Sequence, residues 1–146
     1  MSLLSFVKEA GEKLIDLLTP GNANASEQLK EHIDKVGLGN PNVQATVDGD
    51  KVTVKGEVAS QEEKEKILLT LGNIAGIGSV DDQITVTGPV VVAAEFVEVK
   101  AGDTLSAISL RVYGNANQYQ KIFDANKPML KDVNKIYPGQ KLRIPK

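Results

Sequence analysis

The sequence contains no cysteine and only one histidine, which excludes several kinds of chemistry. Without cysteine the chain can form no disulfide, no thiolate nucleophile and no cysteine-ligated zinc site. The single histidine, His32, cannot build a histidine-rich metal site. Positive charge is not in excess either, because the formal net charge is −2. This charge argues against binding to a nucleic-acid backbone.

Long apolar runs are also missing. No segment approaches the roughly 20 apolar residues that span a bilayer, and no nucleophile motif such as G-x-S-x-G occurs. The first residues lack a basic start, and charged residues from Lys8 onwards interrupt their apolar pattern, which does not resemble a secretory signal. We therefore expect a non-catalytic, monomeric protein of the cytoplasm that neither enters the membrane nor binds nucleic acid.

What is present fits a globular protein built from two small modules. The chain has 146 residues, of which 41% are hydrophobic and 25% are charged. Apolar spacing predicts amphipathic helices over residues 3–18 and 26–36, with Gly11 as a break in the first. Alternation predicts strands over residues 43–47 and 52–58, joined by a turn at Asp48 and Gly49. A capping box at Ser60 and Glu63 opens a third helix, which Gly72 ends before a strand over residues 80–86.

The rest of the chain predicts a second, smaller unit. Residues 88–94 show no regular pattern and are interpreted as a linker. They precede a strand at 96–99, helices at 103–113 and 116–126, and a strand at 141–144. The predicted fold class is α+β, with an N-terminal helical segment (residues 1–22), an αββαβ domain (23–87), the linker (88–94) and a βααβ domain (95–146).

The second unit resembles the lysin-motif (LysM) family. The matching residues are VEVKAGDTLSAI at 97–108, YGN at 113–115 and KIYPGQKLRIP at 135–145. Asp103 is expected to cap the first helix of this unit. The resemblance implies a shallow groove for N-acetylglucosamine-containing glycans such as peptidoglycan. Its walls would be Gly102, Asp103, Thr104, Leu105, Asn134, Ile136 and Tyr137, although caps, core and turns explain the same residues.

The first unit resembles a BON domain, through VTVKGEV at 52–58 and GIGSVDDQI at 76–84. The pairing of BON with one LysM domain is similar to the bacterial potassium-binding protein family. Further matches are FVK at 6–8, AGEKL at 10–14 and KEKIL at 64–68. The resemblance implies reversible binding of K⁺ by backbone carbonyls. The ligands would be Val7, Ala10, Gly72, Ile74 and Ile77, with Val80 as an additional candidate.

Elementary chemistry is compatible with such a site. A large monovalent ion can exchange its water for backbone carbonyls, as it does in channel filters. The last carbonyls of a helix lack internal partners and carry partial negative charge. The same spacing is equally compatible with an ordinary glycine-rich link between helix and strand. The competing hypothesis is an envelope adaptor that binds peptidoglycan, or a protein partner, through LysM.

The charged run from Glu62 to Lys66 is interpreted as the solvated face of the third helix. In such a face Glu62 and Lys66 are spaced to form an ion pair four residues apart.

Overall fold

Two β-sheets, one in each half of the chain, organise the fold. The computed structural model describes residues 2–7, 11, 25–39 and 41–145. The first sheet contains β1 (Ser2–Ser5), β2 (Val43–Asp48), β3 (Lys51–Val58) and β4 (Ser79–Val86), in the order β1-β4-β3-β2. Among the strands that the structure describes in this sheet, β3 and β4 pair in parallel and the other neighbours pair antiparallel. The second sheet is an antiparallel pair, β5 (Glu95–Glu98) and β6 (Lys141–Ile144).

Helices cover both sheets. In the first half these are α1 (Ala25–Ile33), which a π-helical turn extends over Asp34–Leu38, and α2 (Gln61–Gly72). In the second half they are α3 (Leu105–Tyr113) and α4 (Tyr119–Ala125), with a 3₁₀ turn at Ala116–Gln118 between them. The α+β class and the αββαβ and βααβ orders are therefore confirmed.

Local chemistry explains most of the first domain. The turn between β2 and β3 uses Gly49, whose φ of +62° suits a tight hairpin. The side chain of Ser60 accepts a hydrogen bond from the backbone N–H of Glu63 at 3.1 Å and so caps α2. Leu29 of α1 and Ile67 of α2 are fully buried against the sheet, which places one hydrophobic core between the helices and the strands.

The second domain has its own core, in which Ile108, Ile122 and Leu142 are fully buried. The predicted cap of α3 was wrong by one residue, because Thr104 and not Asp103 accepts the N–H of Ala107, at 3.0 Å. The Asp103 carboxylate instead accepts the backbone N–H of Lys100 at 2.9 Å. It is thereby held in the loop before the helix.

The N-terminal helix predicted over residues 3–18 is wrong at its start. Its first residues belong to β1 (Ser2–Ser5) and not to a helix. This strand pairs antiparallel with β4 and places Leu4 opposite Val80. Leu4 packs on the core while Ser5 is exposed, so the alternation of a strand is satisfied. Pairing with a distant strand outweighs local helix propensity. Gly11 has a φ of +105°, which no right-handed helix contains. Residues 8–10 and 12–18 of the predicted helix lie outside the described residues.

The predicted linker contains no helix or strand and runs along the surface. Its valines are exposed, and Val90 is fully so. The residue before the linker and the last residue of the linker are both held by the first domain. The Thr87 N–H donates to the carbonyl of Val58 at 2.9 Å, and the Ala94 N–H donates to the carboxylate of Glu65 at 2.9 Å. The second domain is thus attached to α2 before β5 begins.

Candidate functional site

The loop between α2 and β4 is anchored by buried side chains. Ile74 and Ile77 are both fully buried, which fixes the backbone on either side of a turn. The N–H of Ile77 donates to the carbonyl of Ile74 at 3.1 Å, and Gly76 supplies the positive φ of +94° that the turn needs. At the end of the loop the N–H of Gly78 donates to the carbonyl of Asp50 at 2.8 Å. The loop therefore holds its backbone groups in a defined arrangement.

The N-terminal segment lies against this loop at two points. After β1, the N–H of Phe6 donates to the carbonyl of Gly78 at 2.9 Å. The Phe6 ring covers Gly72 so closely that a Cβ there would lie 2.0 Å from the ring. Further on, a Cβ on Gly11 would lie 2.5 Å from the carbonyl oxygen of Asn73. The end of α2 and the start of the chain are thus in direct contact, although more than 60 residues separate them in sequence.

The predicted ion ligands fall into three groups. Val7 directly follows Phe6, while Gly72, Ile74 and Ile77 belong to the loop that Phe6 and Gly11 contact. Val80 lies in β4, between β1 and β3, where backbone carbonyls take part in sheet pairing. Ala10 lies outside the described residues. The geometry brings the segment that carries Val7 to the loop, and the role of these carbonyls as ligands stays a prediction.

The free edge of β6 is covered by two asparagine side chains, one from each domain. Asn126 donates to the carbonyl of Arg143 at 2.9 Å and accepts its N–H at 2.8 Å. Asn73 makes the same pair of bonds with Lys141, at 2.8 and 2.9 Å. A primary amide presents a donor and an acceptor side by side, so it can complete a strand edge as another strand would. Asn73 therefore connects the loop between α2 and β4, which contains predicted ion ligands, directly to the second domain.

A buried ion pair also joins the domains. Nε and Nη2 of Arg143 on β6 lie 3.0 and 2.9 Å from Oε1 of Glu65 on α2. Oε2 of Glu65 accepts bonds from Gln61 and from the N–H of Ala94. The prediction that this run of α2 is solvated was wrong for Glu65, which is 2% exposed because the second domain covers it. The predicted pair of Glu62 and Lys66 is present at 3.6 Å.

Lys141 completes the contact with the N-terminal segment. Its ammonium donates to the carbonyl of Ser5 and lies 5.0 Å from the centre of the Phe6 ring. Burial lowers the pKa of Lys141, and the nearby Glu98 carboxylate partly opposes that shift. One residue of β6 thus contacts β1 through its side chain and the α2–β4 loop through its backbone.

Comparison with known proteins agrees with the two-domain division. Residues 22–88 match the BON domain model, and residues 97–145 match the LysM domain model. The potassium binding protein Kbp of Escherichia coli O6:H1 is 55% identical over 149 aligned residues, which cover 99% of both chains. The chain belongs to the Kbp family. Both of the resemblances on which the site prediction rests are therefore confirmed.

A more distant relative shares only part of its length with this chain. An uncharacterized protein of Deinococcus radiodurans is 31% identical over 123 residues, which cover 74% of this chain and 46% of that protein.

The loops predicted to bind glycan lie side by side. The N–H of Gly139 donates to the carbonyl of Val99 at 2.8 Å, and this bond joins the loop after β5 to the loop before β6. Most of the named residues already have structural roles. Thr104 caps α3, Leu105 is in the core, Asp103 binds Lys100, and Ile136 packs against the core. Gly102 is exposed, Asn134 is exposed on a turn, and Tyr137 lines a cleft to which both domains contribute.

Two further observations concern metals and membranes. Across the described ranges, histidine and acidic side chains do not form a cluster of three or more that could hold a metal ion. Among the same residues, no helix combines the length and apolar character of a membrane span.

Proposed function

We propose that this protein reversibly binds K⁺ through backbone carbonyls where the N-terminal segment meets the α2–β4 loop. The observation that carries the proposal is the contact of Phe6 and Gly11 with the loop that contains Gly72, Ile74 and Ile77. The relative named as a potassium binding protein, similar along its whole length, supports this choice of ion. The ligands would be Val7, Ala10, Gly72, Ile74 and Ile77, with Val80 as a weaker candidate because its backbone lies in the sheet.

The end of α2 is suited to a cation. Gly72 is its last residue, and the carbonyls of a last helical turn have no partner within the helix and carry partial negative charge. Although Ile74 already accepts one hydrogen bond, its oxygen keeps a second lone pair. Neutral carbonyls suit a weakly hydrated monovalent ion better than Mg²⁺, which gives up its water reluctantly.

Calorimetric titration at constant ionic strength tests the proposed ion. We expect KCl to give a saturable signal and K⁺ to bind at least about tenfold more tightly than Na⁺, a difference of about 1.4 kcal/mol. MgCl₂ and CaCl₂ are expected to bind more weakly, since the proposed ligands are uncharged. Equal affinities for K⁺ and Na⁺ would show that no carbonyl site of this kind exists.

We further propose that K⁺ binding orders the contact between the two domains. Asn73 lies between two proposed ligands, Gly72 and Ile74, and its side chain pairs with Lys141 of β6. An ion held by the flanking carbonyls would fix the direction of the Asn73 side chain, and the docked domain would in turn hold the loop. A ligand that favours one arrangement shifts the population towards it. The protein would then act as a sensor or buffer that becomes more compact with K⁺.

Replacing Asn73 with alanine tests this coupling. Two hydrogen bonds across the interface contribute about 1–3 kcal/mol. We therefore expect N73A to weaken K⁺ binding by about fivefold or more. We also expect it to remove the decrease in radius of gyration that small-angle scattering should detect when K⁺ is added.

The matched variant is N126A, which loses the same kind of bonds to β6 within the second domain. We expect N126A to destabilise that domain while the first domain keeps its K⁺ affinity. Full compaction of N73A by K⁺ would refute the coupling.

We propose that the protein acts in the cytoplasm. A cysteine-free chain is compatible with a reducing compartment. The structural roles of the LysM loop residues also leave binding of an extracellular glycan with little support. Cell fractionation tests this location. We expect to detect the protein in the soluble cytoplasmic fraction.

A further inference from the structure

A cleft lies between the two domains, on the side of α2 where Asn73 contacts β6. It has a volume of about 440 Å³. The first domain contributes the end of α1, the following turn and the end of α2, while the second contributes the segment from Met129 to Gln140. Interfaces between domains are frequent locations of ligand sites, and this volume is within the range of small organic ligands.

The charge of the cleft is opposite to that of the protein. Lys35 of the first domain and Lys131 and Lys135 of the second line it, and none of the lining residues that the structure describes is acidic. All three lysines are exposed, and within the described ranges their ammonium groups form no ion pair. The chain as a whole carries a net charge of −2. Three cations around one concave surface therefore create a local positive potential that attracts anions.

The floor of the cleft contains an unsatisfied acceptor. Gln140 is only 3% exposed, and its side-chain oxygen is buried without a hydrogen-bond partner among the described residues. A buried polar atom without a hydrogen-bond partner destabilises the arrangement that buries it. Gln140 lies immediately before Lys141, which Asn73 binds, so this cost arises where the domains dock. A hydroxyl or amino group of a bound ligand would supply the missing donor once the Gln140 side chain turns its oxygen towards the cleft.

We propose that this cleft binds a small organic anion that carries both a phosphate or carboxylate group and a hydroxyl or amino donor. The anionic group contacts Lys35, Lys131 and Lys135, and the donor binds the amide of Gln140. Because the lysines come from both domains, the anion binds the docked arrangement more tightly than the separated one. By linkage it then favours docking to the same extent. The cleft lysines and Gln140 are distinct from the proposed K⁺ ligands, so the existence of the anion site can be tested separately from that of the ion site.

Three probes separate recognition of the anionic group from recognition of the hydrogen-bond donor. Glucose 6-phosphate has charge and donors, inorganic phosphate tests charge with little donor capacity, and glucose has donors alone. Each is titrated into the full-length protein at constant ionic strength, in potassium and in choline salts, with binding followed by amide chemical shifts. We expect glucose 6-phosphate to bind about tenfold more tightly than either other probe and to shift the amides around Lys131 and Gln140. No shift with any probe in either salt would overturn the proposal.

Variants identify the groups responsible. We expect K35Q/K131Q, with one exchange in each domain, to weaken binding of glucose 6-phosphate by about tenfold or more. The control K55Q/K100Q changes the net charge equally at exposed lysines outside the cleft and should leave binding unchanged. Q140M should weaken binding of glucose 6-phosphate while leaving binding of phosphate unaffected. If both double variants weaken binding equally, the attraction is general electrostatics and the cleft is not a site.

Discussion

Replacing Arg143 with methionine is expected to lower the free energy of unfolding by about 3–5 kcal/mol, the typical cost of removing one partner of a buried ion pair. The exchange leaves the Glu65 carboxylate, 2% exposed, with only the neutral donors of Gln61 and Ala94. The exchange also removes the hydrogen bond that the Arg143 side chain donates to the carbonyl of Ala125. If the domains separate, as the proposed coupling requires, Glu65 returns to water, and we then expect much of the loss to appear as undocking. Chemical denaturation and small-angle scattering measure the two effects.

The matched control is an ion pair at the surface. Lys100 and Glu98 lie 3.3 Å apart with both side chains well exposed, so K100M should change stability by no more than about 1 kcal/mol. A similarly small effect of R143M, with an unchanged radius of gyration, would show that the Glu65–Arg143 pair does not hold the domains together.

Introducing a single methyl group at Gly72 is expected to have the second large effect. The Cβ of G72A would lie 2.0 Å from the ring of Phe6, which is itself 9% exposed and packed in the core. Overpacking of this kind costs about 1–3 kcal/mol. The ring must move, and we expect its displacement to weaken the contact between the N-terminal segment and the loop. If Val7 and the loop share one ion, K⁺ affinity should fall by about tenfold or more, which calorimetry measures.

The control for this variant is G49A. Gly49 has open space around its Cβ position but a φ of +62°, so alanine there costs about 1 kcal/mol without displacing a neighbour. We expect G49A to be somewhat less stable than the parent protein and to bind K⁺ with unchanged affinity. Unchanged K⁺ affinity in G72A as well would separate the ion site from the contact between Phe6 and Gly72.

Local patterns predicted the parts of the fold that local interactions determine. The alternation around Asp48 and Gly49 and the cap at Ser60 depend on residues close in sequence, and both occur in the structure. The strand β1 was missed because its hydrogen bonds go to β4, about 75 residues away, and because Leu3, Leu4 and Val7 also fit a helical stripe. The apolar pattern within one segment cannot show which distant strand has a free edge that can pair with that segment.

The contacts between the domains were beyond sequence reasoning for a similar reason. Glu65 stands in a run of charged residues typical of a solvated helix, and its burial depends on an arginine 78 positions later. Asn73 follows Gly72 and has the sequence context of a helix end, while its bonds to Lys141 span 68 positions. The proposed ion ligands are backbone carbonyls, which leave no side-chain pattern. Only resemblance to a family could single them out.

The most direct test of the central claim is to locate the ion itself. Crystals of the full-length protein grown with RbCl in place of KCl would show the ion by anomalous scattering, since Rb⁺ is a monovalent ion slightly larger than K⁺. We expect one strong peak enclosed by carbonyl oxygens of the segment containing Val7 and Ala10 and of Gly72, Ile74 and Ile77. A strong peak elsewhere, with none between the N-terminal segment and the α2–β4 loop, would contradict the proposed site.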